Sequence, residues 1–80
     1  MPLVQIHEET YKGIPDSSFL GKLVASCVET RQNPDMLCAL IRILLKREVL
    51  GSCFDSRRIT NPESVKFFQE QFDRATLTLA

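Results

Sequence analysis

The sequence has no tryptophan, a single histidine, three cysteines and no apolar run long enough to span a bilayer. Its longest apolar stretch, Met36 to Leu45, is broken by Arg42 and followed by Lys46, Arg47 and Glu48. A membrane-spanning helix needs about 18 to 20 apolar residues, so none is expected. Charge of one sign is lacking too. Ten Lys and Arg balance ten Asp and Glu, which removes the bulk electrostatic argument for nucleic acid or an anionic membrane.

Metal and cofactor chemistry find few ligands. Cys27, Cys38 and Cys53 are separated by ten and fourteen residues, with no Cys-x-x-Cys pair and only the distant His7. Zinc sites need closer ligand spacing, so no metal is expected, and free cysteines ordinarily pack as small hydrophobes. There is no P-loop, dinucleotide-binding glycine fingerprint or nucleophile elbow, and the expectation is no cofactor. Three cysteines cannot all pair within one chain, and no basic segment precedes an apolar leader. A reducing, cytoplasmic setting is expected on those grounds.

What is present reads as one small globular domain, residues 1–80, with 44% hydrophobic and 25% charged residues. A chain of this length buries only about 60% of its unfolded surface, which makes oligomerisation a natural supplement to a thin core. Asn33-Pro34-Asp35 and Asn61-Pro62-Glu63 share one helix-start pattern: Asn at the N-cap, Pro in the first turn and a carboxylate facing the positive end of the dipole. Asp16 marks a third start.

Three helices follow, over about residues 17–30, 35–50 and 62–79. In the first, Leu20, Leu23, Val24, Cys27 and Val28 form one apolar stripe. In the second, apolar residues cover well over half the circumference, leaving Arg42 and Lys46 as a polar line, with Gly51 placed to end it. Residues 38–45 also read as a buried strand, and the helix start and residue content favour helix. In the third, Val65, Phe68, Phe72, Ala75 and Leu79 are spaced as a packing seam, with Phe67 off it as an exposed contact. Residues 1–13 read as an extended arm or short strand, with Glu8-Glu9 a solvated turn. The expected fold is all-α, three helices with an N-terminal arm, and α+β is the alternative.

Residues 42–58 hold five basic side chains against two acidic ones, whereas residues 1–41 hold three basic against five acidic. Two flanking helices cannot cover so wide an apolar helix. The expected function is therefore a small, non-enzymatic interaction or regulatory module, acting as a homo-oligomer or with a protein partner. Leu37, Ile41, Leu44, Leu45, Phe54 and Phe67 would supply apolar contact, and Arg42, Lys46, Arg57 and Arg58 orientation. A helix-turn-helix or winged nucleic-acid binder is a second reading. The turn at residues 31–33 has a suitable length, but the helix it would present is far too apolar for a major groove.

Met1-Pro2-Leu3-Val4-Gln5-Ile6-His7 resembles the opening of small tautomerases of the 4-oxalocrotonate tautomerase family. The resemblance implies that Met1 is removed and that the Pro2 amine acts as a catalytic base, with Lys12 near the place of a substrate-binding arginine. It covers the first seven residues. The parallel strand carrying an arginine and the glycine-rich hairpin of that family have no counterpart, Arg42 being displaced. Finally, Arg57-Arg58-Ile59-Thr60 has the form of an acceptor for an arginine-directed kinase.

Overall fold

The computed structural model describes residues 3–77. Five α-helices run in the order α1 (Leu3–Lys12), α2 (Ser17–Thr30), α3 (Pro34–Lys46), α4 (Leu50–Cys53) and α5 (Pro62–Leu77), with a 3-10 turn at Ser56–Arg58 before α5. The described residues contain no strand, so the all-α class holds and the α+β alternative does not. Residues 38–45 are helical. No helix among the described residues is long and apolar enough to cross a membrane.

α3 is the axis of the molecule. Leu37, Cys38, Ala39, Leu40, Ile41, Ile43 and Leu44 are all buried. At 100° per residue these positions point in every direction except the sector of Arg42 and Lys46. α1, α2 and α5 each pack along α3, and α4 lies mainly against α2. The radius of gyration, 11.4 Å, matches the ~11.6 Å expected of a folded chain of this length.

The expected N-terminal arm is a helix. Val4 and Glu8 are buried, and Tyr11 is half-buried against the core. Their spacing of four and three is a helical stripe. Its middle position is a carboxylate, and the apolar residues at 3, 4 and 6 read more readily as a strand. Ile6 is half exposed. α1 thus supplies a third flanking helix where two were expected.

α2 keeps its expected bounds. Asp16 caps it, accepting from the Ser18 and Phe19 N–H groups at 2.9 and 3.3 Å. Leu20, Val24, Cys27 and Val28 are buried, and Leu23 is half-buried against the core. Gly21 is buried as well. A Cβ at this position would stand 2.4 Å from the Cys53 carbonyl oxygen, so the glycine lets α4 lie directly on α2.

The two Asn-Pro starts differ in detail. Asn61 Oδ1 accepts from the Glu63 N–H at 2.9 Å, as expected of an N-cap. Asn33 precedes α3 but adopts a left-handed conformation and makes no side-chain cap hydrogen bond. α3 also stops four residues before the expected end at residue 50. Glu48 takes φ 60°, its N–H donates to the Leu45 carbonyl, and the Val49 N–H donates to that of Leu44. This is a Schellman stop built on glutamate. Gly51, expected to end the helix, lies inside α4.

The buried face of α5 keeps Phe68 and Ala75 of the expected seam, with Phe72 half-buried, but turns towards Ser64 and Gln71. Ser64, Phe68, Gln71 and Ala75 are its buried residues, whereas Val65 is exposed. Phe67, expected to be exposed, is half-buried against the core. Leu79, the last expected seam residue, lies outside the described residues. Phe68 joins Phe54 and Phe72 at ring-centroid distances of 5.1 and 5.9 Å, a favourable tilted cluster. Arg74 ties α5 to the start of α3, donating to Gln71 Oε1 at 2.6 Å and Asp35 Oδ1 at 2.9 Å.

Two glycine exchanges should move stability in opposite directions. Gly21→Ala forces a side chain into the α4 backbone and should lower unfolding stability by about 1–3 kcal/mol. Glu48→Gly relieves a left-handed residue and should raise it by roughly 1 kcal/mol. Urea unfolding of both variants reads the two signs.

Candidate functional site

Two clefts open on opposite sets of elements and share no lining residue. The first, about 650 Å³, lies between α1 and α3 and is lined by Gln5, Glu8, Glu9, Lys12, Arg42, Ile43, Lys46 and Arg47. Its centre is Glu8, only 8% exposed. Arg42 lies 3.5 Å from Glu8 Oε2, and Lys46 Nζ donates to Glu8 Oε1. The one polar sector of α3 therefore meets the one carboxylate in the stripe of α1. Two charge-assisted contacts offset the cost of taking that carboxylate out of water.

Arg47 closes the same side differently. Its guanidinium donates to Ser17 Oγ at 3.1 Å and to the carbonyls of Lys12, at 3.1 Å, and Ile14. A cation thereby satisfies carbonyls at and just beyond the C-terminus of α1 and fixes the α1–α2 connection. Lys12 pairs with Glu9 at 3.2 Å on the surface. The Tyr11 hydroxyl donates to Met36 Sδ at 3.1 Å.

The second cleft, about 620 Å³, is bounded by α2, α4, the 3-10 turn and the start of α5. The half-buried Phe54 and Ile59 contribute apolar surface above the buried Val28, and Lys22, Glu29, Asp55 and Arg58 bring charge to it. Asp55 organises the turn. Its carboxylate accepts from the Arg57 N–H and Nε, both at 3.0 Å, and from Arg57 Nη2 at 3.3 Å. Arg58 Nε lies 4.0 Å away. The side-chain hydrogen bond from Arg57, then its backbone N–H, hold the Asp55 carboxyl below its ordinary range, and Asp55 holds Arg57 above its own. The arginine side chains remain 90% and 89% exposed. Across the cleft, Arg31 donates to the buried Ser64 hydroxyl at 3.2 Å and pairs with Glu63 at 3.8 Å.

The residues expected to bind a partner are thus dispersed. Leu37, Ile41 and Leu44 have no exposed surface. The apolar face of α3 is occupied within the chain, which removes these three residues from the docking surface expected for them. Leu45 and Phe67 are half-buried against the same core. Arg42 and Lys46 belong to the first cleft; Phe54 and Arg58 belong to the second, beside Arg57. The expected basic patch is two separate groups.

The other expectations meet different geometry. The helix that the short α2–α3 turn would present to DNA is α3, and it is sealed in the core. The tautomerase resemblance implies strands, but its described residues form α1, Lys12 pairs with Glu9, and Arg42 with Glu8. Pro2 lies outside the described residues. No group of three or more His, Cys, Asp or Glu that could hold a metal occurs among the described residues. Glu8, read from sequence as part of a solvated turn, was missed as the centre of a buried ion cluster. The signal that could have found it is the Val4–Glu8–Tyr11 spacing. Lys22 and Glu29 were missed because they lie off the apolar stripe of α2, the side that flanks the second cleft.

Comparison with protein-family models, curated proteins and solved structures finds no match for the chain.

Two outcomes follow from this geometry. Removing the carboxylate with Glu8→Ala leaves cations facing a buried gap and should cost about 3 kcal/mol. Lys46→Ala removes a half-exposed partner and should cost less than ~1 kcal/mol; denaturant unfolding separates the two. Burial also pushes the Cys27 and Cys38 thiols up, opposed at Cys38 chiefly by Arg74 and Arg42. A raised folded-state value stabilises below the unfolded value and loses that contribution as pH rises towards the folded one. The urea midpoint should therefore fall above about pH 9. A thiol reagent should modify the half-buried Cys53 in the native chain, and Cys27 and Cys38 only on unfolding.

Proposed function

We propose that this chain is a small helical interaction module that receives an acidic partner segment at the second cleft. The observation that carries this reading is the exposure of Arg57 and Arg58 beside the half-buried apolar side chains of Phe54 and Ile59. Exposed guanidinium groups retain donors for carboxylates, and their planar geometry favours bidentate contact. An apolar side chain of the partner would enter between Phe54 and Ile59, with neighbouring carboxylates on the arginines. Cleft burial would supply affinity and the charges orientation.

Lys22 adds a third cation at this surface, while Glu29 and Asp55 are its carboxylates. The excess is small, so the apolar contact has to carry most of the binding. The ion pairs of Asp55 with Arg57 and Arg58 are solvent-exposed, and exposed pairs are weak enough for a partner to displace. This differs from the first cleft, where Glu8 is buried and its cations serve to hold α1.

The test is fluorescence anisotropy with two synthetic peptides, each carrying a central Leu-x-x-Phe, one flanked by Glu and Asp and the other by Lys. The acidic peptide should bind at least ~10-fold more tightly, and the preference should shrink with added salt. The double variant Arg57→Ala, Arg58→Ala should lose that preference without losing helical circular dichroism. Equal binding of both peptides, or an unchanged preference in the double variant, overturns the reading. Sedimentation showing a dimer that Phe54→Ala dissociates would assign the cleft to a second copy instead.

A further inference from the structure

The segment Arg57-Arg58-Ile59-Thr60 has a use that cleft binding does not require. Thr60 is exposed in the coil between the 3-10 turn and α5. Arginine side chains stand two and three positions before it, largely exposed and paired only with Asp55. Ile59 between them has extended backbone, φ −74° and ψ 118°. We propose that Thr60 is a phosphorylation site for an arginine-directed protein kinase.

Comparison with the other hydroxyls singles out this one. Thr10, Thr30 and Thr76 donate to carbonyls of their own helices. Ser17 and Ser64 accept from Arg47 and Arg31. Ser18 and Ser26 are held in α2, Ser52 in α4 and Ser56 in the 3-10 turn. Among the described residues Thr60 combines a non-helical backbone, exposure, no hydrogen bond from its hydroxyl and two preceding arginines. A kinase reads its substrate by charge pattern and needs the acceptor segment accessible. The carboxylate competing for the arginines is Asp55, in pairs exposed enough to be exchanged for kinase carboxylates.

In the reaction the γ-phosphoryl group of a nucleoside triphosphate, held with Mg²⁺ by the kinase, passes to Thr60 Oγ1. The Oγ1–P bond forms and the bond from the γ-phosphorus to the β,γ-bridging oxygen breaks. The hydroxyl proton goes to the kinase's catalytic carboxylate, and a nucleoside diphosphate leaves. The product carries a charge of about −1.5 to −2 immediately before Asn61, the cap of α5. Lys22 and Arg58 line the same cleft as Thr60, as do Glu29 and Asp55. The positive end of a sixteen-residue helix lies just beyond it.

The experiment incubates the full chain, folded, with the catalytic domain of an arginine-directed serine/threonine kinase and Mg-ATP, and locates phosphate by peptide mass mapping. One phosphoryl group on Thr60 is expected, and Thr60→Val should abolish it. Arg57→Ala with Arg58→Ala should lower kcat/KM at Thr60 at least ~10-fold, with circular dichroism unchanged as the check on folding. Labelling of other hydroxyls in place of Thr60, or of Thr60 only in urea, overturns the proposal. So does a rate indifferent to the two arginines. These readouts need no cleft ligand, so they stand or fall separately from the docking reading.

Discussion

A helix that is apolar around most of its circumference has to be surrounded, and α3 leaves only the sector of Arg42 and Lys46 for anything polar. α2 covers its share with an apolar stripe, and α5 with Phe68 and Ala75 flanked by the buried Ser64 and Gln71. α1 has a more specific task, since it must lie across cations without stranding them. Glu8 performs that task. A carboxylate here is costly to bury alone, and so are its partners, but together they let a third helix dock where a purely apolar one would leave charges unpaired. The position of α1, and through Arg47 the course of the α1–α2 connection, depends on this matching.

That matching explains how far the fold was legible in the sequence. α2 was readable to its ends because a capping aspartate, an apolar stripe and a short connection agree there. α5 began where Asn61-Pro62 indicated. Its buried face was misread in part because Ser64 and Gln71 are buried polar residues, while Val65 is an exposed apolar one. A hydrophobicity pattern assigns such positions to the wrong side. α1 failed for the same reason in stronger form, its central buried residue being ionisable. The early stop of α3 was hidden because glutamate occupies a left-handed position that glycine usually marks.

The candidate site was legible only in pieces. Phe54, Arg57 and Arg58 were singled out, but what sets them beside Lys22 and Glu29 is the packing of α4 on α2. That packing depends on Gly21, which the sequence presents merely as a weak residue inside a helix. Arg42 and Lys46 were grouped with the loop arginines because they are close in sequence. Their partner lies more than thirty residues away, and linear charge counting cannot reveal that kind of pairing.

α1 packs on α3 and makes at most slight contact with the other helices. Its removal would therefore leave the packing of α2, α3 and α5 intact in outline. A segment attached along one side opens with a smaller free energy than the whole molecule. On this geometry α1 should open in excursions of its own, short of the global unfolding of the body formed by α2, α3 and α5. Each excursion would bring Arg42 and Glu8 back to water, together with Val4 and the apolar side chains of α3 that α1 covers.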